Sequence, residues 1–186
     1  MADILNGWYY APDAYLTKEH RENNAKLVHK FFRGQGWSYH AICAMLGNIE
    51  VESSINPGLI EGRKTTLNPD SDGYGLTQWT PASKLINWAN KNGLIWLNNG
   101  DTQCKRIQYE MLGEYQWVEN VPISFAEFAH SNASIEYLTR AFCRNYERPA
   151  DPDFDLRIAN ALYWYNYLKS KPPIWLLWKM AKEGRA

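Results

Sequence analysis

Apolar positions recur at helical spacing along most of the chain. Between Thr17 and Gly34, Leu27, Val28, Phe31 and Phe32 fall on one side, which predicts a helix to about Arg33 capped by the Thr17 hydroxyl. Ser38 opens a second predicted helix through about Ser53. Its apolar residues Ile42, Met45, Leu46 and Ile49 keep helical spacing, and Asn56-Pro57-Gly58 ends it. Residues 59–79 break the pattern. Gly, Pro, Asn and Asp crowd this segment, so short strands and turns around Asn68–Gly73 are expected. Thr80-Pro81 reads as a cap followed by proline at the first helical position, leading a helix with Leu85, Ile86 and Trp88. Further helices are predicted over about 102–116 after Asp101, over 135–146 after Ser134 and over 154–169, with a short piece near 124–129. Residues 1–16 are aromatic but aperiodic and read as an irregular arm.

These elements predict an α+β fold, predominantly α-helical, with one small β-hairpin insertion. The length of 186 residues suits one domain, assigned to 1–170. A chain of this size buries roughly two-thirds of its unfolded surface, so it needs no disulfide staples. Residues 171–186 follow two prolines and carry Ile174, Trp175, Leu177 and Trp178. This apolar tail is expected to dock on the domain, on a partner protein or on a membrane surface.

Composition narrows the functional classes. The formal net charge is zero, without the basic excess of a nucleic-acid binder. The chain has 9 Trp, 12 Tyr and 6 Phe, enough to fill a core and still stack on the apolar faces of sugars. Cys43, Cys104 and Cys143 are odd in number and widely spaced, implying no disulfide framework. The four histidines have no metal-ligand spacing, so neither a metal nor another cofactor is expected. No segment approaches the roughly 20 apolar residues of a membrane span. The N-terminus has no basic stretch leading into an apolar run, so no secretory signal is expected.

Three segments offer chemistry. Glu50 and Glu52 stand at the end of an apolar helix, and at about 100° per residue they flank its apolar face on opposite sides. A glutamate beside apolar surroundings resists ionisation, and a glutamic acid can protonate a leaving sugar oxygen. Two solvated helix-end glutamates explain the same pattern, and the wheel does not choose between them. In Asp72-Gly73-Tyr74-Gly75-Leu76-Thr77-Gln78-Trp79, the glycines allow close backbone approach, Gln78 offers an amide, and Tyr74 and Trp79 offer flat faces. An ordinary hairpin would look the same. A calcium loop opening at Asn68 fails, because its twelfth position is Trp79 where a glutamate is required. In Asn145-Tyr146-Glu147-Arg148-Pro149, Glu147 and Arg148 are either site residues or a simple ion pair.

The order of these motifs resembles the tail-associated lysozyme domain of tailed bacteriophages, within the lysozyme-like fold shared with goose-type lysozymes and lytic transglycosylases. The motifs are Glu52-Ser53 at a helix end, Ile55-Asn56-Pro57-Gly58, the Gly73–Pro81 stretch and Tyr146-Glu147-Arg148-Pro149. The resemblance covers roughly residues 20–170. It implies Glu52 as the general acid, and Ser53, Tyr74, Gly75, Gln78, Trp79, Tyr146 and Glu147 as glycan-binding residues. It implies a muramidase acting on bacterial peptidoglycan, carried in a virion or released by lysis. Lytic transglycosylation or a non-catalytic wall-binding virion protein are the alternatives. A retaining enzyme needs a second carboxylate about 5 Å from the first, and an inverting one needs it about 6.5–9.5 Å away. Asp70 and Asp72 lie in the segment suited to supply it, with Glu147 a third candidate.

Overall fold

A computed structural model describes residues 2–113 and 115–169. The tail at 171–186 lies outside the described residues. A hairpin, β1 (Asp3–Leu5) and β2 (Trp8–Tyr10), precedes seven helices: α1 (Lys18–Gly34), α2 (Tyr39–Ser53), α3 (Ser83–Lys91), α4 (Gly100–Gly113), α5 (Phe125–His130), α6 (Ile135–Phe142) and α7 (Phe154–Lys169). The fold is predominantly helical α+β, as the periodicity predicts.

α2 is the axis of the molecule. Ala41 through Ile49 are all buried, so this helix is enclosed by its neighbours rather than lying on a surface. α6 and α7 pack against it, and Gly47 permits the closest approach. A Cβ at Gly47 would stand 2.5 Å from the Arg157 carbonyl oxygen and 2.6 Å from the Ala161 Cβ. Gly47→Ala gains helix propensity of about 1 kcal/mol but must push two backbones apart. The expected net result is a loss of about 1–3 kcal/mol in denaturant unfolding. Equal or higher stability would show that α7 shifts freely.

The caps at Thr17, Ser38 and Ser134 are formed, each side chain accepting a first-turn backbone N–H. Ser124 and Glu127 add a reciprocal capping box at α5. Three expectations are corrected. Residues 1–16 contain a hairpin, because Asn6 (φ 51) and Gly7 (φ 84) take the left-handed conformations of a tight two-residue turn. α3 begins at Ser83 rather than after Thr80, because the Thr80 hydroxyl is spent on the Gln78 carbonyl at 2.8 Å. α4 begins at Gly100 with Asn99 as its cap, accepting from Asp101 N at 3.0 Å. Asp101 instead accepts the Trp8 indole N–H at 3.1 Å. The insertion at 59–79 is held by isolated bridges, Ile60 to Tyr74 and Tyr74 to Trp79, so the regular two-stranded sheet lies at the N-terminus.

The aromatic excess is largely internal. Trp8, Trp37, Trp79, Trp117 and Trp164 are buried, and Trp117, Phe125, Phe128, Phe142 and Tyr146 form one contiguous ring cluster. All three cysteines are free and buried. Among the described residues, no helix is long and apolar enough to cross a membrane.

Candidate active site

The end of α2 turns sharply after Ser53, where Ser54 (φ 59) and Ile55 (φ 51) take left-handed conformations. This break delivers Glu52 into a cleft of about 500 Å³. The cleft walls include Leu59, Glu61, Arg63 and Gln78 from the insertion, Thr80 just after it, and Glu147 with Pro149 from the segment before α7. Glu50, two residues earlier, faces the other side of the helix. It pairs with Arg21 beside Trp164, in a separate cavity of about 220 Å³. The helical wheel separates the two glutamates, and only Glu52 reaches the cleft.

The Glu52 carboxylate is one-fifth exposed and accepts a 2.6 Å bond from Nη2 of Arg157. Arg157 is itself buried in α7. Its Nη1 donates to Asn48 Oδ1 at 3.1 Å and its Nε to the Pro152 carbonyl at 2.7 Å. Three donors of one guanidinium thus fix the position of Glu52 from beneath the cleft.

Glu147 closes a π-type turn, Cys143–Glu147, that continues α6. Its Oε1 is enclosed without a hydrogen-bond partner among the described residues. Burial raises its pKa well above the ordinary 4.5, the Glu52 charge raises it further, and Arg157 opposes both. Burial thus favours the neutral form of the Glu147 carboxyl. Its folded form binds the carboxyl proton more tightly than the unfolded chain does, so stability falls as pH rises from 4.5 through the raised value. Glu110 and Glu50 are also shifted upward by burial and add slopes of the same sign. Glu147→Gln should flatten the fall in denaturation midpoint as pH rises above the ordinary carboxyl range, without abolishing it. A slope equal to that of the wild type would contradict this assignment.

Several expected ligand contacts have interior roles. Ser53 is fully buried, and its hydroxyl donates to the Leu76 carbonyl at 2.8 Å and the Ile49 carbonyl at 3.2 Å. It ties the end of α2 to the insertion and does not open to the cleft. Tyr74 is buried, with its hydroxyl bonded to Asn98. Gly75 has φ +80, and a Cβ there would lie 2.5 Å from the Gln103 amide oxygen, which accepts Leu76 N at 2.8 Å. Trp79 and Tyr146 are buried around Glu110, which accepts the Trp79 indole at 3.2 Å, Arg106 Nε at 2.8 Å and the Tyr146 hydroxyl. These four residues form a foundation beneath the hairpin. Gln78 does line the cleft, with its amide nitrogen bonded to the Leu59 and Gly75 carbonyls at 3.1 and 2.9 Å.

The loop aspartates sit elsewhere. Asp72 is buried, pairs with Lys64 at 2.6 Å and accepts Asn68 N at 2.9 Å. The Lys64 bond and the Asn68 amide hold its carboxyl below the usual range. Asp70 is exposed at the loop tip. Neither is among the residues lining the cleft, because Asp72 is consumed in closing its own loop. Glu61, Arg157 and Glu110 are additions that the sequence motifs do not mark. Glu61 lines the cleft while its Oε2 accepts Gly73 N at 2.7 Å.

The profile of the phage tail lysozyme family matches residues 23–168, which include every cleft residue named above. Morphogenesis protein 1 of Bacillus phage B103 is 39% identical over 166 residues, 88% of this chain. The aligned region is 44% of that relative, so the chain spans less than half the length of the curated protein it matches. A family match across nearly the whole helical domain, with a glutamate brought into a sugar-sized cleft, fixes the assignment: the chain belongs to the phage tail lysozyme family.

Proposed function

We propose that the chain is a muramidase that cleaves the β-1,4 glycosidic bonds of bacterial peptidoglycan. The observation that carries this reading is the Glu52–Glu147–Arg157 cluster at the wall of the cleft. Glu52 is the group that protonates the leaving sugar oxygen, held in place by Arg157. Glu147 lines the same cleft, where burial favours its neutral form. Glu61, on the insertion side with Oε1 uncommitted among the described residues, is the carboxylate suited to take a proton from the attacking water. In this reading the second carboxylate comes from Glu61 and not from Asp70 or Asp72. Gln78 and the hairpin backbone supply hydrogen bonds to the glycan.

The family and the phage relative favour action from the virion, at the host wall during genome delivery or at lysis. Peptidoglycan, and other tail proteins through residues 171–186, are the proposed partners. Purified walls incubated with the chain should lose turbidity and release new glycan ends. Walls that retain the protein yet stay intact would instead favour the non-catalytic virion role.

A further inference from the structure

The rim of the cleft carries a feature that glycan cleavage alone leaves unused. Arg148 follows the π-type turn in a left-handed conformation, φ 55 and ψ 46. Non-glycine residues persist there only where surrounding contacts hold them, and such positions cluster at ligand sites. Arg148 is held by its own side chain: Nη1 donates to the Gln116 and Asn145 carbonyls, each at 2.6 Å. That spends both hydrogens of one nitrogen and leaves Nε and Nη2 uncommitted among the described residues. Arg144, one turn earlier, lies with its guanidinium 4.9 Å from the centre of the Phe154 ring.

Arg144 and Arg148 line a shallow pocket of about 470 Å³ together with Asn120, Val121 and Pro149. No acidic side chain lines it, and neither arginine forms an ion pair among the described residues. The chain is neutral overall, so two uncompensated cations in one pocket are not a by-product of basic composition. The pocket adjoins the cleft, since Pro149 lines both. Arg148 also lines the adjoining cavity beside Gln78 and Glu147.

We propose that the Arg144–Arg148 pocket binds a carboxylate of the peptide stem attached to the muramic acid in the cleft. The identity of the substrate rests on the muramidase reading; the anion chemistry of the pocket does not. The glycan backbone is itself uncharged, so two arginines at its rim offer it nothing specific. The stem leaves the sugar through its lactyl ether and carries carboxylates. An extended peptide covers about 3.3–3.6 Å per residue, so two to four residues reach roughly 7–14 Å from the sugar. The planar guanidinium fork matches a carboxylate with paired donors, and Arg148 is pinned in advance by its two carbonyl bonds while Arg144 rests on the Phe154 ring. Phosphate of wall teichoic acid is the rival anion. The stem is favoured because its covalent bond to the sugar places it at this rim whenever the cleft is filled.

The test titrates the full chain with the GlcNAc–MurNAc disaccharide, its lactyl carboxyl either capped as a simple amide (the bare ligand) or carrying a tetrapeptide stem, following binding by calorimetry or amide shifts. The wild type should bind the stem-bearing ligand about tenfold more tightly, an advantage that shrinks as salt screens the charges. Arg144→Glu should remove the advantage and leave the affinity for the bare ligand unchanged. Arg148→Lys keeps the charge but loses the fork, and should remove part of it. Equal affinity of the wild type for the two ligands overturns the proposal, as does loss of bare-ligand binding in a folded Arg144→Glu variant. A variant effect confined to walls that carry teichoic acid overturns it in favour of phosphate. Failure of the wild type to cut walls would sink the muramidase reading and leave the measured binding ratio to decide this one.

Discussion

Glu52→Gln should lower kcat/KM for wall glycan by about 10²–10⁴-fold, the range expected for loss of a general acid. Glutamine keeps the shape of the side chain and an oxygen that can accept the 2.6 Å bond from Arg157. The variant therefore separates proton delivery from architecture. Its stability should fall by no more than about 1–2 kcal/mol, because the guanidinium loses a charged partner and keeps its bonds to Asn48 and Pro152. Initial rates on soluble glycan strands, with unfolding curves for both proteins, check the two halves together. Activity within a few-fold of the wild type would remove Glu52 from the chemistry.

The largest stability effect is expected at Arg157. Methionine there fills most of the same volume but strands three acceptors at once: Asn48 Oδ1, the Pro152 carbonyl and Glu52. Breaking a buried ion pair from one side costs about 3–5 kcal/mol, and the two neutral acceptors left behind add to the loss. Arg157→Met should therefore unfold at markedly lower denaturant and lose glycan cleavage even where it remains folded, since Glu52 is no longer held from below. Arg157→Lys retains the charge and one or two of the bonds, so it should fall between the wild type and methionine in both measurements. A methionine variant as stable as the wild type would mean that water replaces the guanidinium, and that the cluster is not fixed in the way described.

These two residues mark how far the sequence could be read. Glu52 is visible because it belongs to a helix whose period is plain, with Ser38 at one end and Asn56-Pro57-Gly58 at the other. The period alone left it equivalent to Glu50, and the motif resemblance was needed to separate them. The structure gives the physical difference: Glu50 meets Arg21 and Trp164 across α1 and α7, while Glu52 meets the cleft. Arg157 carries no local signal. It lies 105 residues from its partner, inside a helix that no motif marks. Glu110 is hidden for the same reason, since only the folded chain brings Trp79, Arg106 and Tyr146 around it.

The expectations that changed share one cause. The resemblance implies Ser53, Tyr74, Trp79 and Tyr146 as glycan contacts, and the flat faces of Tyr74 and Trp79 suit stacking on sugars. The fold spends those same capacities internally, on Leu76, Asn98 and Glu110. Asp72 is likewise consumed by Lys64 and the Asn68 amide. Residue type shows which bonds a side chain can form, and only packing shows which of them are already made. Asn6-Gly7 is different. Its tight-turn chemistry was legible locally and was obscured by the aromatic residues around it.

The central claim is that a glutamate-delivered proton opens the glycosidic bond and water closes the reaction. Digesting purified walls in ¹⁸O-enriched water, then weighing the released muropeptides, tests this directly. Hydrolysis predicts reducing muramic acid ends that carry one heavy oxygen from solvent, absent with Glu52→Gln. Anhydro ends without label would contradict the account, because the sugar's own hydroxyl would then have replaced the water.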